Sequence, residues 1–371
     1  MTIRILPKRS VPSWIDGIRA TRRVVAPRGS NGRVAFGEIE SGAEVALDYR
    51  TTILPPKKAL LPTHEELFRF KDGEAEGRFQ AIPTVLFGVH TCDLHAIGLL
   101  DRVFGQGLPD QAYLRRRAAT VTVGLECLAP CSEHAFCKSM GTLSPPEGVD
   151  LHLIDLGDSY AIEVGTETGA ALLDRASHRA SHPVGDPEGD PGGEGFAGDR
   201  PAVDEDLRRL DRAMSEKWAR FPYRLEFDVS QLPSLMTTGR DSELWAELAE
   251  RCLGCGSCTI VCPTCSCFDV RDEMDLSLRS GARQRVWDSC QLASFAVVAG
   301  GHNFRGTREA RLRHRFLRKG KYQLEAYGAM GCVGCGRCAQ ACLAGITPID
   351  TYNGLHRRLT PSERPQAEVA A

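Results

Sequence analysis

RCLGCGSCTIVCP, residues 251–263, decides the fold of the second half of this chain, and GCVGCGRCAQAC, residues 331–342, repeats its cysteine spacing. In both stretches two, two and then three residues separate the four cysteines. Thiolates at every third position can bind three irons of one [4Fe–4S] cubane, and in proteins with two such motifs the fourth cysteine ligates the other cluster. Structural zinc sites instead use CxxC pairs set well apart. The spacing therefore predicts two [4Fe–4S] clusters.

The exchange of the fourth cysteine between the motifs predicts both ligand sets. The first cluster takes Cys252, Cys255, Cys258 and Cys342, and the second takes Cys332, Cys335, Cys338 and Cys262. With four thiolates on each cubane, no iron is left open to a substrate. We therefore expect these clusters to transfer electrons and to catalyse no reaction of a substrate.

The composition of the 371-residue chain is that of an ordinary globular protein apart from its 15 cysteines. Hydrophobic residues make up 42%, charged residues 25%, and the formal net charge is −2, which excludes collagen-like chains, wholesale disorder and a global field that attracts nucleic acid. The start lacks the apolar region of a secretory signal, and no apolar stretch is long enough to cross a membrane. These features predict a cytoplasmic protein without a membrane partner, and clustered cysteines in a reducing cytosol indicate metal ligands.

Residues 81–160 have the pattern of an α/β domain. A short apolar run at 83–89 predicts a buried strand. Apolar residues from Leu94 to Phe104 recur at helical spacing behind Asp93, which we expect to be the N-cap of a helix. Further strands are predicted at 119–125, near 151–156 and at 160–164.

Four more cysteines are predicted to meet at the edge of this domain. Cys92 follows the first strand and Cys127 the second, so that parallel neighbouring strands would bring both to the carboxyl edge of the sheet, where α/β proteins place ligands. Cys131 and Cys137 lie in the loop that follows. The four thiols predict a third metal site with three alternatives, which are a third [4Fe–4S] cluster, a zinc ion and free cysteines that pack as small apolar residues.

The predicted fold class is α+β and multidomain, with an N-terminal α/β domain followed by a mostly α-helical dicluster ferredoxin-like domain. The predicted segments are an α/β docking domain (1–180), a flexible acidic Gly/Pro-rich insertion (181–206), a helix/strand connection (207–245), the dicluster domain (246–353) and a polar tail (354–371). The insertion contains a GxGxxG match at Gly193, Gly195 and Gly198. A dinucleotide site needs a strand before this motif and a helix after it, and so no nucleotide site is expected.

Two features of the dicluster part have less specific interpretations. Cys265, Cys267 and Cys290 lie outside both motifs, and we expect them to pack beside the ligands, with a further metal site as the alternative. The stretch Arg305–Lys321 carries eight Arg or Lys residues and one acidic residue. It is interpreted as a solvated helix face, as a docking surface for an acidic partner or as a contact with nucleic acid.

Several long stretches of the chain together resemble one protein family. They are FGVHTCDLHAIGLLDRVF (87–104), the cysteine loop at 126–142, RCLGCGSCTIVCPTCSCFDV (251–270), WDSCQL (287–292), AGGHNFR (299–305) and GCVGCGRCAQAC (331–342). The chain resembles the beta subunit of cytosolic NADP-linked nickel–iron hydrogenases, the sulfhydrogenases. It is also similar to the related alpha subunit of anaerobic sulfite reductase.

The resemblance implies an iron–sulfur subunit that relays electrons between a flavin subunit handling NAD(P)H and the small and large subunits of a hydrogenase. It implies that this chain belongs to an oxidoreductase but carries no nickel, no flavin and no substrate site. The eight motif cysteines match the family's ligands by position, and the four N-terminal cysteines match loosely in spacing. The alternatives are an electron-transfer subunit of a sulfite reductase and an iron–sulfur redox sensor that binds nucleic acid through residues 305–321.

Overall fold

The strands of the protein form two separate sheets in the part of the chain that the computed structural model describes, residues 2–30, 32–78, 81–180 and 198–360. The strands are β1 Thr2–Pro7, β2 Arg23–Ser30, β3 Arg33–Glu38, β4 His64–Lys71, β5 Glu74–Gly77, β6 Thr84–His90, β7 Thr120–Leu125, β8 Leu151–Asp155, β9 Ser159–Val164, β10 Arg200–Pro201, β11 Phe268–Met274 and β12 Ser280–Trp287. The protein thus has mixed helix and strand content, as predicted.

The helices alternate with strands in the first half and predominate over strands in the second. They are α1 Val11–Arg19, α2 Thr91–Gly105, α3 Gln111–Ala118, α4 Glu167–Ala180, α5 Asp204–Arg220, α6 Leu232–Thr238, α7 Leu244–Arg251, α8 Ser257–Ile260, α9 Arg308–Leu317, α10 Gln323–Tyr327, α11 Arg337–Gln340 and α12 Pro348–Leu359. A π-helical turn, Arg318–Tyr322, continues α9. Among the described residues, no helix is long and apolar enough to cross a bilayer.

The larger sheet has eight strands in the order β10-β1-β9-β8-β7-β6-β2-β3. Its central strands β2, β6, β7 and β8 are parallel, and the outer pairs are antiparallel. Every residue of β6 and β7 is buried, which explains why the sequence shows continuous apolar runs rather than alternation. The prediction that the strands before Cys92 and Cys127 are parallel neighbours is confirmed.

Helices cover this sheet and close its core. Trp14 of α1 packs edge-on against Phe87 of β6, and its indole N–H donates to the carbonyl oxygen of Leu172 in α4. Helices α2 and α3 pack on β6 and β7. Asp93 was predicted to be the N-cap, and this prediction is wrong because α2 begins at Thr91 and its N-cap is His90. The Asp93 carboxylate is used elsewhere, in an ion pair described below.

The smaller sheet joins two distant parts of the sequence, with the order β11-β12-β4-β5. The hairpin of β11 and β12 lies between the two cysteine motifs, where no strand was predicted. At its edge Arg285 is buried and pairs with Glu65 and Asp110, while Arg116 also donates to Glu65. The second half of the chain is therefore held to the first by both sheet pairing and buried charge.

The helices of the second half pack around a separate apolar core. Trp245 of α7, Phe316 of α9 and Tyr352 of α12 are among its most buried members. Phe136 and Met140, from the loop after β7, belong to the same core. The cysteine motifs lie on the surface of this core, between it and the larger sheet.

Two predicted segments lie partly outside the described residues. Of the insertion predicted at 181–206, residues 181–197 are outside, including Gly193 and Gly195, and β10 pairs with β1 beyond them. Of the tail predicted at 354–371, the first six residues belong to α12, and residues 361–371 are outside. The predicted segment boundaries otherwise stay predictions.

Candidate metal centres

The two cysteine motifs adopt the same local structure. In each, a glycine with positive φ, Gly256 or Gly336, is followed by a one-turn helix, α8 or α11, and these two short helices are in contact. Backbone N–H groups point at sulfur in both motifs, since that of Gly254 donates to Cys252 Sγ at 3.4 Å and that of Ile346 to Cys342 Sγ at 3.3 Å. Such donors stabilise thiolates that bind a cluster.

Cys262 lies beside the thiols of the second motif, as the predicted exchange of ligands requires. Burial raises the pKa of Cys332 to about 12, and the neighbouring charges of Cys338 and Cys262 add to this shift. The pKa values of Cys335 and Cys338 are also raised by burial and by the charge of Cys262. Thiols held protonated by burial lose their protons when a metal binds them. Cys332, Cys335 and Cys338 therefore suit a metal cluster that replaces the protons. The pKa of Cys262 is instead lowered by its interaction with Cys265 and by the charges of Lys319 and Lys57, which favours the thiolate directly.

The thiols of the first motif are more exposed. Burial raises the pKa of Cys258 to about 11, and the charges of Cys338 and Cys252 contribute. The Cys255 thiol is exposed. Cys252 and Cys342 are partly buried against the second core. The assignment of Cys342 to this set stays a prediction.

Buried cations face the second set. Arg315 and Lys319 line one cavity together with Cys262, Cys332, Cys335 and Cys338. Arg315 Nε is buried without a hydrogen-bond partner, and Lys319 Nζ donates to the neutral oxygens of Thr264 at 2.6 Å and Gln323 at 3.5 Å.

A buried cation needs a compensating anion close by. Burial alone lowers the pKa of Lys319, but the Cys262 and Cys265 thiolates raise it above its usual value. A cluster bound by four thiolates carries net negative charge. The residues present therefore fit an iron–sulfur cluster.

The position of these cations changes the interpretation of the basic stretch Arg305–Lys321. Arg311, Arg315 and Lys319 are buried, and Arg311 donates to the carbonyl oxygens of Gln291 and Gly306. The stretch is therefore neither wholly a solvated face nor wholly a docking surface, because one side of α9 supplies positive charge to the cysteine-rich interior. Periodicity could have indicated this inward side, since Arg311, Arg315 and Lys319 recur every fourth residue.

The four N-terminal cysteines meet at the carboxyl edge of β6 and β7, as expected. Cys92 lies in the first turn of α2. Burial raises the pKa of the Cys127 thiol, and the charges of Glu126, Cys131 and Cys137 add to it, whereas the backbone of Thr91, beside Cys92, lowers it in part. Burial likewise raises the pKa of Cys137 to about 12. The thiols are neighbours, and the metal they would hold stays a prediction.

Within the described ranges, no three Cys, His, Asp or Glu side chains converge closely enough to hold a single metal ion. This holds for the motif cysteines as well as for the N-terminal four. A cubane distributes its thiolates over four different irons, and its ligands do not need to converge on one point.

The N-terminal cysteine loop packs directly on the second motif. Phe136 N–H donates to the carbonyl oxygen of Gly334 at 2.7 Å, and the Thr142 hydroxyl donates to that of Val333 at 2.6 Å. Gly334 has φ of +69°, and a Cβ there would lie 2.6 Å from the backbone nitrogen of Cys137. Only glycine fits this contact. The third candidate site and the second motif are therefore adjacent.

A buried ion pair that the sequence did not predict spans the same contact. Arg337 lies between Cys335 and Cys338, and its two terminal guanidinium nitrogens, Nη1 and Nη2, each donate to the Asp93 carboxylate at 2.7 Å. Arg337 Nε also donates to the carbonyl oxygen of Thr52 at 2.9 Å. Arg337 and Asp93 are 3% and 1% exposed, so that each charge depends on the other.

A second buried pair supports the start of the N-terminal loop. Lys217 Nζ donates to Glu126 Oε1 at 2.8 Å and to the carbonyl oxygen of Leu143 at 2.9 Å. His152 lies 3.1 Å from the other Glu126 oxygen. Glu126 precedes Cys127, so this pair fixes the backbone that presents the thiol. The sequence shows that a glutamate follows an apolar strand, which indicates a carboxylate close to the core. Its partner Lys217 lies 91 residues away and could not be predicted.

Cys265, Cys267 and Cys290 also come together. The thiols of Cys267 and Cys290 act on each other's pKa, and those of Cys262 and Cys265 do the same. Packing beside the ligands and a further metal site both stay open as interpretations of these three cysteines.

Comparison with known proteins agrees with these features. Residues 251–346 match the family model of the 4Fe-4S dicluster domain. The chain is 36% identical over 353 residues to sulfhydrogenase 2 subunit beta of Pyrococcus furiosus, and the alignment covers 94% of this chain and 96% of that protein. No solved structure matches the chain.

Proposed function

The chain belongs to the family of sulfhydrogenase beta subunits, and from this premise we propose that it relays electrons between a flavin subunit that handles NAD(P)H and the small and large subunits of a nickel–iron hydrogenase. One observation carries the proposal, which is the position of Cys262 beside Cys332, Cys335 and Cys338 in an interior lined by buried cations. This arrangement supports two interlocked [4Fe–4S] sites, because such sites exchange the fourth cysteine of each motif.

The proposed ligands are those of the crossed motifs. The first cluster is held by Cys252, Cys255, Cys258 and Cys342, and the second by Cys332, Cys335, Cys338 and Cys262. When bound, the clusters supply one-electron transfer. The chain itself supplies the thiolates, the backbone N–H groups that stabilise them and the apolar core that excludes water.

The buried cations Arg315 and Lys319 are also proposed to affect the reduction potentials of the clusters. Their positive charges lie in the cavity that the second set of cysteines lines. Positive charge near a redox centre favours its reduced, more negative form, and hydrogen bonds to sulfur act in the same direction. We therefore propose that Lys319, whose charge acts on Cys262 and Cys332, raises the reduction potential of the second site relative to the first, whereas Arg315, whose charge acts on Cys258 as well as Cys338, raises both.

The N-terminal cysteines are proposed to hold a third [4Fe–4S] cluster on Cys92, Cys127, Cys131 and Cys137. Their contact with the second motif supports this, because Cys131 Sγ lies 3.8 Å from the carbonyl oxygen of Cys335 and Cys92 packs against Cys335 itself. A third site here would extend the relay into the larger sheet. A zinc ion, or no metal, are the alternatives that metal analysis separates.

The relay is tested by Cys335→Ser in the assembled complex. The substitution should remove one cubane and abolish hydrogen-dependent reduction of NAD(P)+, while hydrogen oxidation with an artificial dye that accepts electrons from the catalytic pair continues. Gln340→Ala, at an exposed position of the same motif, is the matched control and should leave both assays unchanged. Unchanged coupled turnover in a Cys335→Ser complex that has lost iron would overturn the relay.

Iron analysis of the anaerobically purified complex tests the cofactor assignment. Two cubanes on this chain contribute about eight irons, and about four further irons belong to the N-terminal site if Cys127→Ser removes them. About eight irons with one zinc would make the N-terminal site a structural zinc site. Far fewer than eight, in a chain that still folds and assembles, would contradict the proposal.

A further inference from the structure

Three cysteines that neither motif uses converge at the base of the β11–β12 hairpin. The strands pair so that Phe268 lies opposite Trp287, and the N–H of Asp288 donates to the carbonyl oxygen of Cys267 at 3.0 Å. This register places Cys267, just before β11, opposite Asp288, in the short segment after β12 that leads to Cys290. The convergence is therefore a consequence of strand pairing, and it brings together residues from separate segments.

The turn that carries Cys290 is held against the first motif. The hydroxyl of Thr259 in α8 donates to Ser289 Oγ at 2.7 Å, and Gln291 donates through its side chain to the carbonyl oxygen of Arg311 at 2.9 Å. Cys290 and Cys265 are buried, and Cys267 is partly buried. The thiol of Cys290 lies close enough to raise the pKa of Cys267, and the charge of Cys265 acts on Cys290 in turn. The three thiols thus occupy one fixed interior position rather than a mobile loop.

A buried lysine from the first half of the chain reaches this position. Lys57 is 3% exposed, and its Nζ donates to the backbone carbonyl oxygens of Cys262 at 2.7 Å and Cys265 at 2.5 Å. The same ammonium lies 4.3 Å from the centre of the Trp287 ring. None of these partners carries a negative charge. A buried ammonium in such surroundings indicates an anionic group nearby, and the thiols that act on Lys57 are those of Cys265, Cys262 and Cys267, of which Cys262 alone belongs to the crossed ligand sets.

We propose that Cys265, Cys267 and Cys290 are the thiolate ligands of an additional iron–sulfur cluster, next to the first motif and distinct from the crossed ligand sets and the N-terminal site. Three thiolates are the set taken by a [3Fe–4S] cluster, or by a [4Fe–4S] cluster whose fourth iron binds a ligand other than cysteine. The Lys57 ammonium offsets the charge of the bound cluster. The proposal rests on the proposed iron–sulfur function but not on the identity of the partners.

The decisive experiment compares three single variants of the assembled complex, Cys265→Ser, Cys267→Ser and Cys290→Ser. Iron and acid-labile sulfide are counted per chain, and low-temperature EPR and Mössbauer spectra are recorded. Each variant should lose the same set of about three or four irons and the same spectral component. Ser266→Ala, between two of the proposed ligands, is the matched control and should keep the full count.

Several results would overturn the proposal. Retention of all iron in the three variants would make the cysteines packing residues, and one zinc per chain lost with each variant would make the site a zinc site. A Cys267–Cys290 disulfide, found by mass spectrometry after anaerobic alkylation, would also exclude a cluster. If a variant fails to fold, the spectrum of the unaltered complex decides, because a cluster with three protein ligands must add a component that the cubanes lack.

The test of the additional cluster can fail or succeed independently of the test of the relay. Loss of iron in these variants is measured without turnover, whereas the relay is tested by Cys335→Ser in the coupled assay. A complex can therefore contain the additional cluster and fail the relay test, or pass the relay test and lack the cluster.

Discussion

Arg337 and Asp93 connect the second cysteine motif to the helix that carries Cys92. The two side chains are 244 residues apart in sequence and almost fully buried. Sequence analysis finds ion pairs only between residues a few positions apart on one helix or strand, and it could not reveal a contact between residues this distant. The cysteines, in contrast, were predictable because the spacing that a cubane imposes is local. At the residue scale, the sequence thus indicates the proposed ligands but not the charges that are buried beside them.

Substitution Arg337→Met should be strongly destabilising. It leaves the Asp93 carboxylate buried without its partner, which typically costs about 3–5 kcal/mol. The free energy of unfolding, measured by urea denaturation at matched iron content, tests this. Adding Asp93→Leu to Arg337→Met should recover part of the loss, because no charge then remains buried.

The matched control is Arg358→Gln, which breaks the exposed pair between Arg358 and Glu247. Exposed ion pairs contribute about 0.2–1 kcal/mol, so this variant should stay close to the wild-type stability. Equal losses in Arg337→Met and Arg358→Gln would contradict the buried role of Arg337.

His314 on α9 should make stability depend on pH. Burial and the charges of Arg305 and Arg318 lower the pKa of His314 from 6.5 to about 4. Between these values the unfolded chain binds a proton that the folded protein does not, so stability is lost as the pH falls from 6.5 towards 4. The thermal midpoint of the wild type should therefore fall more steeply between pH 7 and pH 5 than that of His314→Gln.

Acid loss of metal acts on both proteins alike and cancels in this comparison. Parallel pH profiles for the two proteins would show that His314 does not contribute.

At the scale of elements, strands β6 and β7 were predictable and the β11–β12 hairpin was not. The first two are buried throughout and read as continuous apolar runs, which are bounded by turn residues. The seven residues of β11 are almost all exposed and mix charged with apolar residues, so no period of two emerges. Because the hairpin was not predicted, the sequence also did not indicate that three cysteines lie at its base.

The contact between the N-terminal loop and the second motif can be tested through two glycines. Gly334 and Gly345 both have positive φ, but a Cβ at Gly334 meets the backbone of Cys137, whereas one at Gly345 meets nothing within 4 Å. Gly345→Ala should cost about 1–2 kcal/mol for its backbone conformation alone. Gly334→Ala should cost more and should also release iron, because the cysteine loop must move away.

Iron content and unfolding free energy, measured side by side, decide between the two effects. If both variants lose the same free energy of unfolding and keep all their iron, the close contact between the cysteine loop and Gly334 is contradicted.

At the scale of the whole molecule, the cysteine-rich half does not stand alone. Its hairpin completes a sheet with β4 and β5, Arg285 pairs with Glu65, and Lys57 is buried among its backbone carbonyls. The sequence predicted a dicluster domain at 246–353 because the motifs are local. It could not predict that the core beneath the motifs includes residues from the loop after β7.

A fragment comprising residues 246–353 should therefore fail to fold and to retain two clusters. Its β12 would expose an unpaired edge, and the buried Arg285 would lose its carboxylate partners. Far-UV circular dichroism and iron content of the reconstituted fragment, measured beside the full chain, check this. A soluble fragment that keeps about eight irons would show that the domain is autonomous.

The smaller sheet also has a consequence for how the protein is made. On the ribosome β4 and β5 emerge long before β12, since about 200 residues separate them, which at typical synthesis rates is roughly 10–40 s. During that time one edge of β4 has no neighbour. Its sequence, HEELFRFK, carries five charged residues or histidines among eight, and charge on an open edge discourages pairing with other chains. The polar residues that prevented prediction of β4 thus also protect the nascent chain from aggregation until β12 is synthesised.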